Sequence, residues 1–357
     1  MSRPLRPGAD VRLTWPDLLT GLVAGHDLDH DATQWAMNEI LSGAATPVQI
    51  AAFMVALQAK GATQGELTGL VAGMLDNARP IELPHDAVDI VGTGGDRANT
   101  VNISTMAAIL AASAGAKVVK HGNRAASSKC GTADCLEELG VVLDLAPSAQ
   151  AEVFDQVGIV FLFAAHYHPS LRHAAAPRRE LGIRTTFNFL GPLANPARPD
   201  AQAIGVADPV MAPLVADVLA ARGNRGLVFH GGDGLDELTT TTASSVWVMA
   251  DGRVERTTLD PARLGIAPAV AADLLGGDPA FNAQVVRDTF AGAAGPVRDI
   301  VLLNAAAGLL AFDGPRHGVP LEQQLRQPLE RAAAAIDSGA TTQRLDDWIA
   351  LTRALKR

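Results

Sequence analysis

Six short β-rich runs, at residues 87–91, 117–120, 141–143, 159–163, 202–206 and 226–229, alternate with segments of helical composition through the middle of the chain. This alternation limits the fold more than any other feature. Strands separated by helices pair in parallel, because each helix returns the chain to the same end of the sheet. Gly115, Gly140 and Gly158 stand where those helices would end. Residues 245–249 and 253–258, joined around Asp251-Gly252, read as a hairpin. Ahead of the alternation, from Trp15 to about Ala78, the pattern is helical. Leu18, Leu19, Leu22 and Val23 recur at helical spacing, Asp31 is a candidate cap, Thr46 precedes Pro47, and Thr63 with Glu66 fits a capping box. Residues up to about Thr14, with Pro4 and Pro7, read as a poorly ordered lead. From Pro261 onward the chain is mostly helical again. At 357 residues it exceeds the usual size of one core. The expectation is α/β: a small helical domain over 1–80 and a larger α/β domain with a mainly parallel central sheet.

Ligands of such sheets gather at the carboxyl ends of the strands. Two loops at such ends carry the chemistry. The first is Gly92-Thr93-Gly94-Gly95-Asp96, running through Thr100 to Asn102-Ile103-Ser104-Thr105 at the start of an Ala-rich helix. Glycines let a backbone approach a phosphate, and a helix start offers it free N–H groups. A plain tight strand-to-helix turn uses the same residues, and the spacing is neither a Walker motif nor a dinucleotide fingerprint. The second loop follows residues 117–120 and reads Lys120-His121-Gly122-Asn123-Arg124-Ala125-Ala126-Ser127-Ser128, with Thr132 beyond. Its hydroxyls, amide and cations suit phosphate oxygens, although Lys and Arg are equally at home in a solvated turn. Two such loops point to a ligand with separated phosphate groups. Asp236-Glu237, after a glycine turn, form a pair of carboxylates suited to a hard cation, or a solvated acidic loop.

Composition excludes several classes. The net charge of −9 opposes a general nucleic-acid binder, and no apolar run reaches membrane-spanning length. Residues 1–6 lack the apolar core of a signal peptide, so a soluble cytoplasmic protein is expected. Cys130 and Cys135, the two cysteines, read as free thiols. His166, His168 and His173 do not have the spacing of a paired-ligand helix motif.

Taken together, Gly92–Asp96, Asn102–Thr105, Lys120–Arg124, Arg178-Arg179-Glu180-Leu181-Gly182, Asn188-Phe189-Leu190-Gly191-Pro192-Leu193-Ala194-Asn195-Pro196 and Gly234-Leu235-Asp236-Glu237 closely resemble the anthranilate phosphoribosyltransferases of tryptophan biosynthesis, in the family's order and over most of the chain. The resemblance implies a nucleoside phosphorylase/phosphoribosyltransferase-like fold. In that fold residues 174–199 return to the helical domain, and 81–173 with 200–357 form the α/β domain. It implies transfer of phosphoribosyl from phosphoribosyl pyrophosphate (PRPP) to anthranilate, with Mg²⁺ as cofactor and a homodimer formed through the helical domain.

By the same resemblance, substrate contacts fall on Gly92, Gly95, Asp96, Thr100, Asn102, Ile103, Ser104 and Thr105, those up to Thr100 belonging to the PRPP loop, and on a second substrate loop of Lys120, His121, Gly122, Asn123, Arg124, Ala125, Ala126, Ser127 and Ser128, with Thr132. Anthranilate contacts fall on Gly92, Asn123 and Arg178, and His121 is a candidate lining residue. The metal contacts are Ser104, Asp236 and Glu237. No catalytic nucleophile is implied, so positioning and electrostatics carry the rate. A pyrimidine nucleoside phosphorylase-like enzyme and an inactive, nucleic-acid-binding relative are the alternatives; the acidic charge and intact motifs oppose the second.

Overall fold

The computed structural model describes residues 13–125 and 129–356; the lead up to residue 12 and Ala126, Ser127 and Ser128 lie outside them. By contacts the chain divides into two compact units. One ends at Pro80 and is taken up again over Ala164–Pro196; the other holds Ile81–Phe163 and the chain from Ala197 onward.

The first unit opens with α1 (Trp15–Val23), α2 (His30–Ser42), α3 (Pro47–Lys60) and α4 (Gln64–Asp76). Thr46 and Thr63 cap α3 and α4, each in a reciprocal box with Gln49 or Glu66. Asp29 caps α2 by accepting from Ala32 N–H, and the expected cap Asp31 sits inside the first turn. Glu66 is wholly buried and also accepts from Leu28 N–H and Lys60 Nζ, so one carboxylate ties two helix junctions together.

The second unit begins with β1 (Val88–Gly92), α5 (Ile103–Ser113), β2 (Val118–Gly122), α6 (Thr132–Leu139), α7 (Pro147–Val157) and β3 (Ile159–Phe163). Residues 141–143 are not the expected strand. They connect α6 to α7, with Val141 and Leu143 buried and Val142 N–H donating to Thr352 Oγ1, so their apolar character reflects burial without a partner strand. The chain then re-enters the first unit through α8 (Ala164–Tyr167), α9 (Arg172–Leu181) and α10 (Leu190–Leu193). That return spans Ala164–Pro196, not 174–199, because α8 follows β3 directly. Back in the second unit come β4 (Ala201–Gly205), α11 (Met211–Ala221), β5 (Arg225–Gly231), β6 (Ser244–Ala250), β7 (Arg253–Leu259), α12 (Pro279–Phe290), α13 (Pro296–Asp313), α14 (Leu321–Asp337) and α15 (Ala340–Leu355).

The seven strands lie in the order β3-β2-β1-β4-β5-β6-β7. β1 to β5 are mutually parallel, and β6 and β7 are antiparallel additions joined by a turn whose central Asp251 and Gly252 both have positive φ. α5 and α13 are apolar nearly all round and pack together against the sheet. Gly308 of α13 lies so close to β1 that a Cβ there would meet Ile90 Cδ1 at 2.3 Å. Each Leu or Ile buried in this layer contributes about 1.5–3 kcal/mol. The chain winds outward from β1 to β3, then resumes at β4 on the other side of β1. That reversal makes the carboxyl ends of β1 and β4 the switch point of the sheet, where ligands of such folds bind.

Candidate active site

Gly92 and Gly205 are register partners at the ends of β1 and β4, and Asp236 is seated on both. A Cβ on Gly92 would meet Asp236 Oδ2 at 2.1 Å, and one on Gly205 would meet the Asp236 carbonyl oxygen at 1.7 Å. Neither glycine needs positive φ; both are required for space. Gly94 N–H donates to Asp236 Oδ2 at 2.7 Å, which ties the first loop to the same carboxylate. The loop then turns through positive φ at Gly94, Gly95, Arg97 and Asn99. Left-handed Arg and Asn are strained by about 1 kcal/mol or more each and persist only when neighbours hold them. Asp96 Oδ1 accepts from Ala98 N–H, Gly276 N–H donates to Asn99 O, and Val101 N–H donates to Leu274 O.

Glu237 lies beside Asp236 and accepts from the Ser104 backbone N–H, at the second position of α5. One N–H group of the helix start thus meets the chain's own carboxylate, with the helix dipole favouring it. Burial first, then the nearby charge of Asp96, pushes Asp236 up to about 7, and Asp96 is within hydrogen-bonding reach of it. Glu237 is pushed well up by burial and by Asp236, against the opposing charge of Lys120. The turn behind them is held by Asp233, which accepts from the hydroxyls of Thr239 and Thr241, and by Asn304, which both donates to and accepts from the Leu238 backbone.

Lys120 is not part of a solvated turn. It is 1% exposed, on β2, with Nζ donating to the Ile90 carbonyl and, at 3.2 Å, to Ser104 Oγ. Burial lowers its pKa, while Asp89, Glu237 and Asp236 oppose the shift. It acts as an internal cation beneath the carboxylates. His121, also buried, donates its backbone N–H to Asp89. Gly122 fits against Phe161, whose ring a Cβ would meet at 2.9 Å. Asn123 is exposed and accepts from Arg124 N–H. Arg124 is engaged with Asp134 and Glu137 of α6 and lies over the Phe163 ring. Those bonds to Glu137 and Asp134 raise its pKa. Asp134 also accepts from Ala125 and Gly131 N–H, closing the described ends of the second loop. Thr105 donates to Thr132 across the starts of α5 and α6.

Thus Gly92, Gly95, Asp96, Thr100, Asn102–Thr105, Lys120–Ala125, Thr132, Asp236 and Glu237 all fall in one unit around the ends of β1, β2 and β4, while Ala126, Ser127 and Ser128 lie outside the described residues. Arg178 is on α9 in the other unit. Its pKa is lowered by burial, and no acid is paired with it among the described residues. In the same unit His168 is buried and donates Nε2–H to the Ala194 carbonyl, and His173 rests against Gly43. Sequence reasoning missed Asp134, Asn282 and Asn304. Only the Gly276-Gly277-Asp278-Pro279 punctuation ahead of Asn282 gave any signal.

The donor set suits a hard cation. Burial first, and then the charge of a neighbouring acid, raises both Asp236 and Glu237, a penalty that a divalent ion would relieve. Among the described residues no three His, Cys, Asp or Glu form a ready metal cage. Magnesium, though, is commonly held by one or two carboxylates plus water and substrate phosphates.

The glycosyl transferase family a/b domain matches residues 84–342, and the glycosyl transferase family helical bundle domain matches 16–78. Anthranilate phosphoribosyltransferase of Arthrobacter sp. (strain FB24) is 58% identical over 340 residues, covering 95% of this chain and 96% of that protein. The enzyme of the same name from Thermobifida fusca is 58% identical over 96% of this chain and 97% of its own. Among solved structures, anthranilate phosphoribosyltransferase from Thermus thermophilus superposes with a TM-score of 0.87 at 37% identity, covering 94% of this chain and 99% of that one. The Saccharomyces cerevisiae enzyme, solved in complex with PRPP and Mg, superposes with a TM-score of 0.86 at 25% identity, covering 96% and 98%. On matches of this breadth, the chain belongs to the anthranilate phosphoribosyltransferase family.

Proposed function

We propose that this chain transfers the phosphoribosyl group of PRPP to the amino group of anthranilate, giving N-(5-phosphoribosyl)anthranilate and pyrophosphate. The observation that carries it is the seat of Asp236 on Gly92 and Gly205. It gathers a strained glycine loop and three carboxylates at the sheet's switch point, beside a second polar loop. Relatives that share the fold over nearly the whole chain carry this activity by name.

The N–C1 bond forms as the C1–O bond to pyrophosphate breaks, and the amine proton passes to solvent or the leaving group. The chain's task is to hold and orient. The backbone of Gly92–Thr100, with Asn102–Thr105, receives the PRPP phosphates, and the second loop from His121 to Thr132 receives the other end of the substrate. Lys120 supports this floor from beneath, holding Ser104. Arg178, whose guanidinium has no acid partner among the described residues, receives the anthranilate carboxylate, a match for its planar fork. Ser104, Asp236 and Glu237 would hold Mg²⁺. When bound, that ion supplies neutralising charge to the departing pyrophosphate. No side chain is required as a nucleophile.

We place the enzyme in the cytoplasm, as a member of an amino-acid biosynthetic pathway. No helix among the described residues is long and apolar enough to cross a membrane. A homodimer through the helical unit is supported by Val23 of α1 and Val48 of α3, left 81% and 78% exposed. The test is an assay of purified protein with PRPP, anthranilate and magnesium, following loss of anthranilate fluorescence and release of pyrophosphate. Turnover with both signals is expected. Folded protein that gives neither, but phosphorolyses a pyrimidine nucleoside, would move the assignment to the related phosphorylases.

A further inference from the structure

Asn282 is 2% exposed on α12, outside every motif noted in the sequence. Its Oδ1 accepts from Gly277 N–H at 2.8 Å, and its Nδ2 donates to Asn102 Oδ1 at 2.8 Å. Asn102 Nδ2 in turn donates to the Cys130 carbonyl at 3.4 Å. The direction of this chain of bonds is fixed by its two ends. A backbone N–H only donates, so Asn282 must turn its oxygen to Gly277. That leaves its NH₂ facing Asn102, which must answer with oxygen. Asn102 then offers its own NH₂ to Cys130, whose carbonyl only accepts. The Cys130 thiol also lies within hydrogen-bonding reach of Asn282.

Each end of the relay touches one of the two loops. Gly276 packs so tightly on the first loop that a Cβ would meet the Thr100 carbonyl oxygen at 2.6 Å, and Gly276 N–H holds Asn99, one of the strained left-handed residues. The turn bearing Gly276 and Gly277 is held to α12 through Asn282. At the other end, Cys130 closes the second loop just ahead of Gly131, the N-cap of α6. Asn102 itself stands at the start of α5 without a side-chain capping bond, because its side chain is used in the relay.

We propose that Asn282 is a positioning residue that holds the first loop and the Cys130 end of the second loop in fixed relation through the one-way relay Gly277–Asn282–Asn102–Cys130. This rests on those loops being the PRPP site. An Asn is required at 282 because the position must accept on one side and donate on the other. Asp accepts only, and Ala does neither.

The test uses the full-length wild type, Asn282→Ala and Asn282→Asp, with two readouts. One is hydrogen exchange of peptides covering 97–102, 129–132 and 275–278; the other is steady-state kinetics with each substrate varied. Asn282→Ala removes both bonds and is expected to speed exchange in all three peptides and to raise the PRPP KM about tenfold, with kcat within about threefold. Asn282→Asp keeps the bond from Gly277, so 275–278 stays protected. Asn102 must then turn its NH₂ to the new carboxylate and present oxygen to Cys130, so 129–132 loosens and the PRPP KM again rises. Wild-type exchange at 129–132 in both variants would overturn the relay. So would a uniform rise in exchange across the α/β unit with every kinetic constant impaired together. If the wild type does not use PRPP but the variants show the stated exchange pattern, the relay stands and the assigned substrate falls.

Discussion

Replacing Gly92 by Ala puts a Cβ 2.1 Å from Asp236 Oδ2 and 3.0 Å from the Asp236 carbonyl oxygen. Ordinary contact requires the carboxylate to retreat on the order of 1 Å. It cannot do so while keeping the 2.7 Å bond from Gly94 N–H. A hydrogen bond to a charged group contributes about 1.5–3 kcal/mol, which corresponds to a factor of about ten to a hundred. A misplacement of about 1 Å in a reacting arrangement has a similar effect on rate. Turnover should therefore fall about a hundredfold, and half-saturation should move to higher magnesium. Overpacking removes about 1–3 kcal/mol of stability, a shift of several degrees in Tm for a protein of this size. Gly308→Ala is the control. Its Cβ would crowd Ile90 on the same strand at 2.3 Å without touching Asp236. That variant should lose comparable stability yet keep a near-normal magnesium curve. Steady-state turnover against magnesium, with thermal unfolding alongside, decides the matter. Folded Gly92→Ala protein with wild-type turnover and magnesium dependence would refute the claim that these glycines set the carboxylate.

Arg178→Ala should raise the anthranilate KM about tenfold or more, the loss of a charged bidentate contact, with a much smaller change in the PRPP KM; equal dependence on both substrates would remove Arg178 from the acceptor site. His168 is buried neutral, with its pKa lowered by burial despite the Ala194 carbonyl. Its contribution to stability is therefore complete above the unfolded value of about 6.5 and is lost as pH falls below it. Urea unfolding between pH 7.5 and 5 should show a decline that is shallower in His168→Gln, and identical slopes would contradict the assignment.

The sequence displayed the architecture wherever the signal was local. The parallel strands, the hairpin at Asp251-Gly252 and the boxes at Thr46 and Thr63 each follow from a short pattern. It misled where burial alone makes residues apolar, as at 141–143. It also misled where two acids compete for one helix start, as Asp29 and Asp31 do. The return to the helical unit begins at Ala164 because no turn residue separates β3 from α8. At the site, the glycines were legible but their first use was not. Gly92 admits Asp236 from 144 residues away, and periodicity does not encode such a contact. Lys120 looked like a loop cation because its neighbours are polar, yet β2 is buried on both faces, which leaves it among Ile90, Ser104 and three acids. Asp134, Asn282 and Asn304 act on backbone groups distant in sequence, so only the folded chain shows them.

The most direct measurement is turnover against magnesium concentration in the wild type and in Asp236→Asn/Glu237→Gln, with thermal unfolding as the folding control. The amides preserve size and an oxygen on each residue but remove both charges. They also end the mutual repulsion of the buried acids, so the double variant should fold at least as stably as the wild type. If these carboxylates hold the ion that neutralises pyrophosphate, the wild type will saturate with magnesium, and the variant will lose most turnover, with little recovery at high magnesium. A folded variant with wild-type turnover and an unchanged magnesium curve would show that the carboxylates seated on Gly92 and Gly205 are not where this chain does its chemistry.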